Sequence, residues 1–382
     1  MNIACDARAL IGPTTGVGRW TSEVMGGLAA RHGHRVLLAA SKPFEPEGPL
    51  RADGVTCLPR PAVPWPGTLW IQAALPGLLG RSGADVHVGS LAVLPRRASI
   101  PMISMVHDIT PRTHPAHHTL ANRICFNAYI ASSLAGAARV VVGSAATEAE
   151  LLRHFPEVAP KVVRIGYGVD RFFSPAPAGD TGARLRERFT GGRPFVLHLG
   201  TLEPRKGLVN LVEAWDALVR RDPETPDLVL AGRPGWDLGP LEQAIARVAQ
   251  PDRLHRPGYV SREDGRELLR HAALFVLASE VEGFGLPLAE AVACHSPCVA
   301  ADIPALRESG GEAPVFVPPG DSGALSDGMA RALDPAENRR LRAVSAARAQ
   351  GLSWEPVVDA WHGLLTEVVD GFRSERGGAG HR

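Results

Sequence analysis

The sequence predicts an α/β protein of two βαβ domains, each built on a parallel sheet, and three observations carry that expectation. Short continuous apolar runs such as Met102-Ile103-Ser104-Met105-Val106 and Val140-Val141-Val142-Gly143 recur along the chain and fit strands covered on both faces. Helical patterns alternate with these runs, the order of a parallel sheet with crossover helices. A Pro/Ala/Gly-rich stretch, Ser174-Pro175-Ala176-Pro177-Ala178-Gly179-Asp180, breaks the alternation near the middle, after which it resumes. At 382 residues the chain suits two domains better than one.

In the first half, strands are expected at 2–6, 34–40, 54–59, 85–89, 101–107, 139–143 and 162–165. Helices are expected at about 19–31, after the glycine-rich turn Gly12 to Gly18, and at 119–137. In the second half the strands fall at 195–200, 227–232, 274–278, 297–301 and 313–317. Helices alternate with them at 208–221, 238–248, 263–271, 287–294, 320–332 and 335–349. A last amphipathic helix covers 354–372. The domains are drawn at 1–174 and 193–352, joined by a linker over 175–192, with a final helix over 353–373 and a disordered tail over 374–382. Two such domains face a central cleft across the C-terminal edges of their sheets, where ligands bind in open α/β folds.

Composition narrows the function. Hydrophobic residues make up 45% and charged residues 21%, as in an ordinary well-cored protein. A net charge of +1 gives no reason to expect nucleic acid as a partner, so any anion site must be local. Only Lys42, Lys161 and Lys206 are lysines; arginine supplies the other basic residues. The five cysteines lack C-x-x-C spacing and read as reduced thiols of a cytoplasmic protein. An early charge at Asp6 argues against a signal peptide. The apolar stretch Leu69 to Leu79, broken by Pro76 and Gly77, is too short to span a bilayer. With Trp65 and Trp70 it could make peripheral contact with the inner face of a membrane, although ordinary helix packing explains it better.

Two segments carry the chemistry. Gly200-Thr201-Leu202-Glu203-Pro204-Arg205-Lys206-Gly207 follows a strand and precedes a helix, which sets Arg205 and Lys206 at a sheet edge. Without a metal, a departing diphosphate needs such fixed cations and helix N-termini. The second segment, Glu282-Gly283-Phe284-Gly285-Leu286-Pro287-Leu288-Ala289-Glu290, places two carboxylates around a glycine loop and a helix start. Gly283 and Gly285 let backbone approach a ligand, Glu290 can accept from a ribose diol, and Glu282 can accept from sugar hydroxyls. In the first half, Gly16-Val17-Gly18-Arg19 is a weak phosphate-binding turn, plausible as a flexible loop over the cleft. His107, beside Asp108 at a strand end, could bond a sugar hydroxyl. His114, His117 and His118 read as solvated loop residues rather than metal ligands. Asp-x-Asp, a common metal–diphosphate motif, occurs nowhere, and no metal or cofactor is expected.

These segments resemble the family 4 retaining glycosyltransferases of GT-B fold, in a subset with Glu-Pro-Arg-Lys typical of mannosyltransferases. Thr15 to Arg19, Val106-His107-Asp108, Ser144 to Thr147, Gly168-Val169-Asp170, Leu230-Ala231-Gly232 and Ser353-Trp354-Glu355 extend the similarity along nearly the whole chain. The resemblance implies two Rossmann-like domains, with the final helix crossing back to the first. It implies a nucleotide-sugar donor, GDP- or UDP-linked, held by the second domain. Arg205 and Lys206 would then contact the diphosphate and Glu290 the ribose. Glu282 and the backbone of Phe284 to Leu286 would contact the sugar, and Tyr259 and Val260 the base. Gly16, Val17 and Gly18 would close near the phosphates, and His107 would touch the sugar. Many members carry arginine where this chain has Thr201.

The implied reaction moves a hexose, mannose first, to an acceptor hydroxyl with retention, the leaving phosphate taking the proton. The acceptor could be a glycan, a lipid-linked sugar or a small molecule. A nucleotide-sugar 2-epimerase of the same fold and a non-catalytic nucleotide-sugar-binding protein are the alternatives.

Overall fold

A computed structural model of the chain describes residues 1–12, 15–59, 67–180 and 182–379. The chain forms two compact units, one of Met1–Gly168 with Ser353–Arg382 and the other of Val169–Leu352.

The first unit is built on a seven-stranded sheet. Its strands are β1 (Asn2–Asp6), β2 (Arg35–Ala39), β3 (Val55–Cys57), β4 (Val86–Gly89), β5 (Met102–Val106), β6 (Arg139–Val142) and β7 (Val162–Arg164). Their order is β3-β2-β1-β4-β5-β6-β7, and every neighbouring pair is parallel. The order reverses between β1 and β4, the kind of switch point beside which open α/β sheets bind ligands at the C-terminal edge.

Alternation along the strands divides the core. Ile3, Cys5, Val36, Leu38, Val86 and Val88 face one way, against Trp20, Val24 and Leu28 of the helix Gly16–His32. The same cluster contains Trp354, Val357, Val358, Trp361, Leu364, Leu365, Val368 and Val369 of the final helix, Trp354–Ala379. Burying each such side chain contributes about 1.5–3 kcal/mol. Ala4, Leu37 and Ala39 face the other way, onto Trp70, Ile71, Leu75 and Leu79. The stretch considered for a membrane face therefore turns most of its bulk inward, leaving Leu69 exposed; Trp65 lies outside the described residues.

The final helix runs past residue 373, where the sequence predicts a disordered tail. Arg373 pairs with Asp85 at 2.7 Å and Arg376 donates to the Ser99 carbonyl at 3.2 Å. These bonds tie the last turns to the first unit and offset the low helix propensity of the glycines. Among the described residues no helix is long and apolar enough to cross a membrane.

The second unit holds six strands: β8 (Phe195–Leu199), β9 (Asp227–Ala231), β10 (Leu254–Gly258), β11 (Leu274–Leu277), β12 (Cys298–Ala301) and β13 (Pro314–Val317). Their order is β10-β9-β8-β11-β12-β13, again all parallel, and it reverses between β8 and β11. Leu211, Val212, Trp215 and Leu218 of the helix Leu208–Arg221 cluster with Val196, Leu228, Leu230 and Val276.

At the opposite edge Asp227 is 2% exposed and accepts from Arg193 Nε at 2.7 Å, Arg253 Nε at 2.9 Å and His255 Nε2 at 2.9 Å. Burial raises its pKa, and the bonds from His255, Arg253 and Arg193 outweigh that, leaving the carboxyl below its usual range.

The segment expected to be a linker is part of this unit. It holds a helix at Ala183–Thr190, and Arg188 pairs with Asp264 at 2.7 Å. Arg270 donates to the Ser174 carbonyl at 2.7 Å, and Asp180 approaches His271 at 3.3 Å. Composition marked the break in alternation but not these side-chain ties.

Candidate active site

Strands β8 and β11 are neighbours, so parallel pairing sets their C-terminal loops side by side although they lie far apart in sequence. After β8, Leu202 N–H donates to Arg233 O at 2.9 Å and Gly235 N–H to Leu202 O at 2.8 Å, which fixes the stretch containing Thr201. Pro204–Lys206 make a single 3₁₀ turn. Gly207 then takes φ 63°, and a β-carbon there would lie 2.2 Å from the Ala278 carbonyl oxygen, so only glycine fits. This turn delivers Arg205 and Lys206 to the N-terminal end of the helix Leu208–Arg221.

The loop after β11 meets them. Glu280 N–H donates to Arg205 O at 2.9 Å. Lys206 Nζ lies 2.5 Å from Glu282 Oε1, Ser279 Oγ donates to the same oxygen at 2.9 Å, and Arg205 donates to Oε2 at 2.9 Å. Arg205 Nε also pairs with Glu203 at 2.6 Å. The side chains of Lys206 and Glu282 are only 7% and 8% exposed.

Glu282, expected to offer its oxygens to a sugar, is turned onto these cations. The physical reason is that an unpaired buried carboxylate is far costlier than a paired one. Two carboxylates and two cations make the cluster formally neutral.

Burial raises the Glu282 pKa, but the Lys206 and Arg205 charges and the bonds they donate bring it down to about 2 from 4.5. Burial also pulls the Lys206 ammonium down, against the opposing effect of Glu282. A folded-state pKa below the unfolded value adds stability above the unfolded value and loses it as pH falls through the folded one. Stability of the second unit should therefore drop between pH 4.5 and about 2. Thermal melting across that range checks this, and Glu282→Gln should flatten the drop.

His198, not among the residues singled out from sequence, lies fully buried on β8. Burial, followed by the Lys206 charge, lowers its pKa to about 3, so it stays neutral beside the cation. Its position within an apolar strand run was the one sequence signal for it.

The glycine loop ends at Gly285, with φ 89°, where a β-carbon would lie 2.3 Å from Leu306 Cδ2. The helix Leu286–Ala293 begins there, one residue before Pro287. Phe284, Leu286 and Glu290 are buried and Gly283 is half-buried. Tyr259, 58% exposed, and half-buried Val260 follow β10 beyond the intervening β9. One sheet edge therefore carries all the second-unit residues picked from sequence. Arg205, Lys206 and Glu282 touch.

The first unit holds the rest. Gly16, Val17 and Gly18 form the opening turn of a helix rather than a flexible loop, because the Thr15 hydroxyl caps it, accepting from Gly18 N–H at 3.2 Å. His107 follows β5 but does not present its ring as expected. Nδ1 lies 2.7 Å from the Tyr167 hydroxyl and Nε2 lies 3.0 Å from the Ser90 carbonyl. A carbonyl only accepts, so Nε2 carries the proton and Nδ1 accepts from Tyr167. Burial lowers the ring's pKa to about 4, which keeps it neutral. Tyr167 was missed. No local sequence signal marks it; in the structure its ring packs on Gly143, where a β-carbon would lie 2.0 Å away.

The loop histidines are partly ordered: His118 Nε2 lies 2.8 Å from Thr110 Oγ1, whose hydroxyl donates to Asp108 at 2.5 Å.

Residues 183–350 match the family model described as glycosyl transferases group 1, and residues 14–171 match that of glycosyltransferase family 4. The chain is 28% identical over 271 residues to O-antigen chain mannosyltransferase B of Escherichia coli, 71% of each chain. It is 30% identical over 318 residues to a GDP-mannose-dependent alpha-(1-6)-phosphatidylinositol monomannoside mannosyltransferase of Mycolicibacterium smegmatis, covering 77% of this chain and 76% of that one. Among solved structures, HepE from Anabaena in complex with UDP and glucose superposes with a TM-score of 0.73 at 19% identity, covering 96% of this chain and all of that one.

Proposed function

Because this chain belongs to the family 4 glycosyltransferases of GT-B fold, we propose that it moves a hexose, mannose first, from a nucleotide diphosphate donor to an acceptor hydroxyl with retention and without a metal. The observation that carries this reading is the Arg205–Lys206–Glu282 cluster at the mouth of two parallel strands, beside the N-terminal end of the helix Leu208–Arg221.

A diphosphate seated there would take over the two cations, and negative charge developing on the leaving oxygen would find them already in place. Glu282, released from its ion pairs, would be free to accept from the sugar, which reconciles its inward orientation with the role implied by the motif. Glu290 would hold the ribose and Tyr259 the base. His107, its ring nitrogens engaged by Tyr167 and Ser90, would act by shape and through its backbone rather than as a proton carrier. Two relatives are mannosyltransferases by name, which favours a mannosyl donor over the UDP-linked donor of the solved neighbour.

A panel of labelled nucleotide sugars, incubated with the protein in excess chelator, tests the reading. GDP-mannose should be turned over, and the product's anomeric configuration by NMR should match the donor's. Preference for UDP-glucose would replace the donor, inversion would remove the retaining mechanism, and dependence on added metal would remove the metal-free one. Absence of turnover with every donor would favour a binding protein.

A further inference from the structure

We infer that the helix Leu120–Gly136 is a docking face for an anionic membrane surface. This helix has two apolar sides. Phe126, Ile130 and Leu134 point into the first unit. The other side is uncovered: Leu120 is 66% exposed and Ile124 59% exposed, and Ala121, Ala128, Ala131 and Ala135 are exposed with them. At 3.6 residues per turn these six fall within an arc of about 100°. About four turns of helix thus show water a continuous apolar strip, headed by two large aliphatic side chains. Scattered surface leucines need no explanation, but an aligned strip does.

Charge selects the occupant. From Ile109 to Thr147 the sequence contains no aspartate or glutamate. Arg123 lies on the helix itself, and Arg112 donates to Asn127 Oδ1 at 3.2 Å, both at one margin of the strip. At the other margin Arg96 stacks over the Tyr129 ring at 5.1 Å, and Lys161 donates to the Ala135 carbonyl at 2.6 Å near the far end. An apolar strip bordered by cations lies flat in the headgroup region of an anionic bilayer, with side chains inserted and guanidinium groups against phosphates. A second copy of the same face would set these cations against one another, so self-association fits it less well. The inference concerns a surface distinct from the donor site and stands whether or not the proposed reaction is correct.

Vesicle flotation with the full chain tests it. The protein should float with phosphatidylcholine vesicles containing phosphatidylglycerol, remain unbound with phosphatidylcholine alone, and be released by raised salt. Leu120→Glu with Ile124→Glu should weaken partitioning at least about tenfold, and Arg112→Ser with Arg123→Ser should weaken it as well. Both apolar positions are exposed, so the melting temperature should not move. Donor turnover measured without vesicles should also be unchanged in the Leu120→Glu, Ile124→Glu variant, which separates this test from that of the donor site. Absence of flotation with anionic vesicles, or flotation indifferent to salt and to both pairs of substitutions, overturns the inference. So does a wild-type dimer, seen by light scattering, that the glutamate pair dissolves, because the strip would then belong to a second copy.

Discussion

Lys206→Ala should slow turnover of the sugar donor at least about 10²-fold, the largest single loss expected from the site, since removing one preorganised donor from developing negative charge costs about 3 kcal/mol. The substitution leaves Glu282 with Arg205 at 2.9 Å and Ser279 at 2.9 Å, so the buried carboxylate keeps partners and the fold should survive. The loss should fall on kcat more than on KM, because the cation matters most when charge has moved to the leaving oxygen. Lys206→Arg should restore little, as a planar fork does not reproduce a point charge held at 2.5 Å in a site only 7% exposed. Steady-state kinetics with the preferred donor decide the matter. Wild-type-like turnover in both Lys206→Ala and Arg205→Ala would remove the cluster from the reaction.

Asp227→Ala should lower the unfolding free energy by about 3–5 kcal/mol, the largest effect expected on stability. Arg193, at 44% exposure, can return to water, whereas Arg253 at 12% and His255 at 25% stay crowded together without their shared anion. Asp227→Asn keeps the shape but not the charge and should fall between the two. In urea unfolding the midpoint of the second unit should drop with little change in slope. A shift within about 0.5 kcal/mol would mean the carboxylate is not the pin that its three partners suggest.

Local signals were readable from sequence, and long-range pairings were not. Strands such as Met102–Val106 and Leu274–Leu277 stand out because a buried parallel strand must be apolar on both faces. The two motifs stand out because glycines, a proline and a helix start leave few backbone choices. Their adjacency across β8 and β11 follows from the sheet order, which apolar patterning does not encode. The inward turn of Glu282 depends on which charge is nearest once the loops are packed. The engagement of His107 by Tyr167 joins residues 60 positions apart and so escaped a reading by segments. Helix Ala183–Thr190 was passed over because Pro, Ala and Gly just before it obscured its start, and the residues securing the final helix past 373 lie near the other end of the chain.

The final helix has a consequence for the order in which the protein is made. The first unit's core includes Trp354, Trp361 and Leu365, which are the last of its parts to be synthesised. The second unit is one uninterrupted stretch, Val169–Leu352. It is therefore complete while the first unit is still missing a wall, and the seven-stranded sheet must wait on the ribosome with its Trp20 face uncovered. A stop codon shortly after residue 352 would leave the second unit whole and strip the other of its cover, so truncated chains should aggregate through the half that was made first.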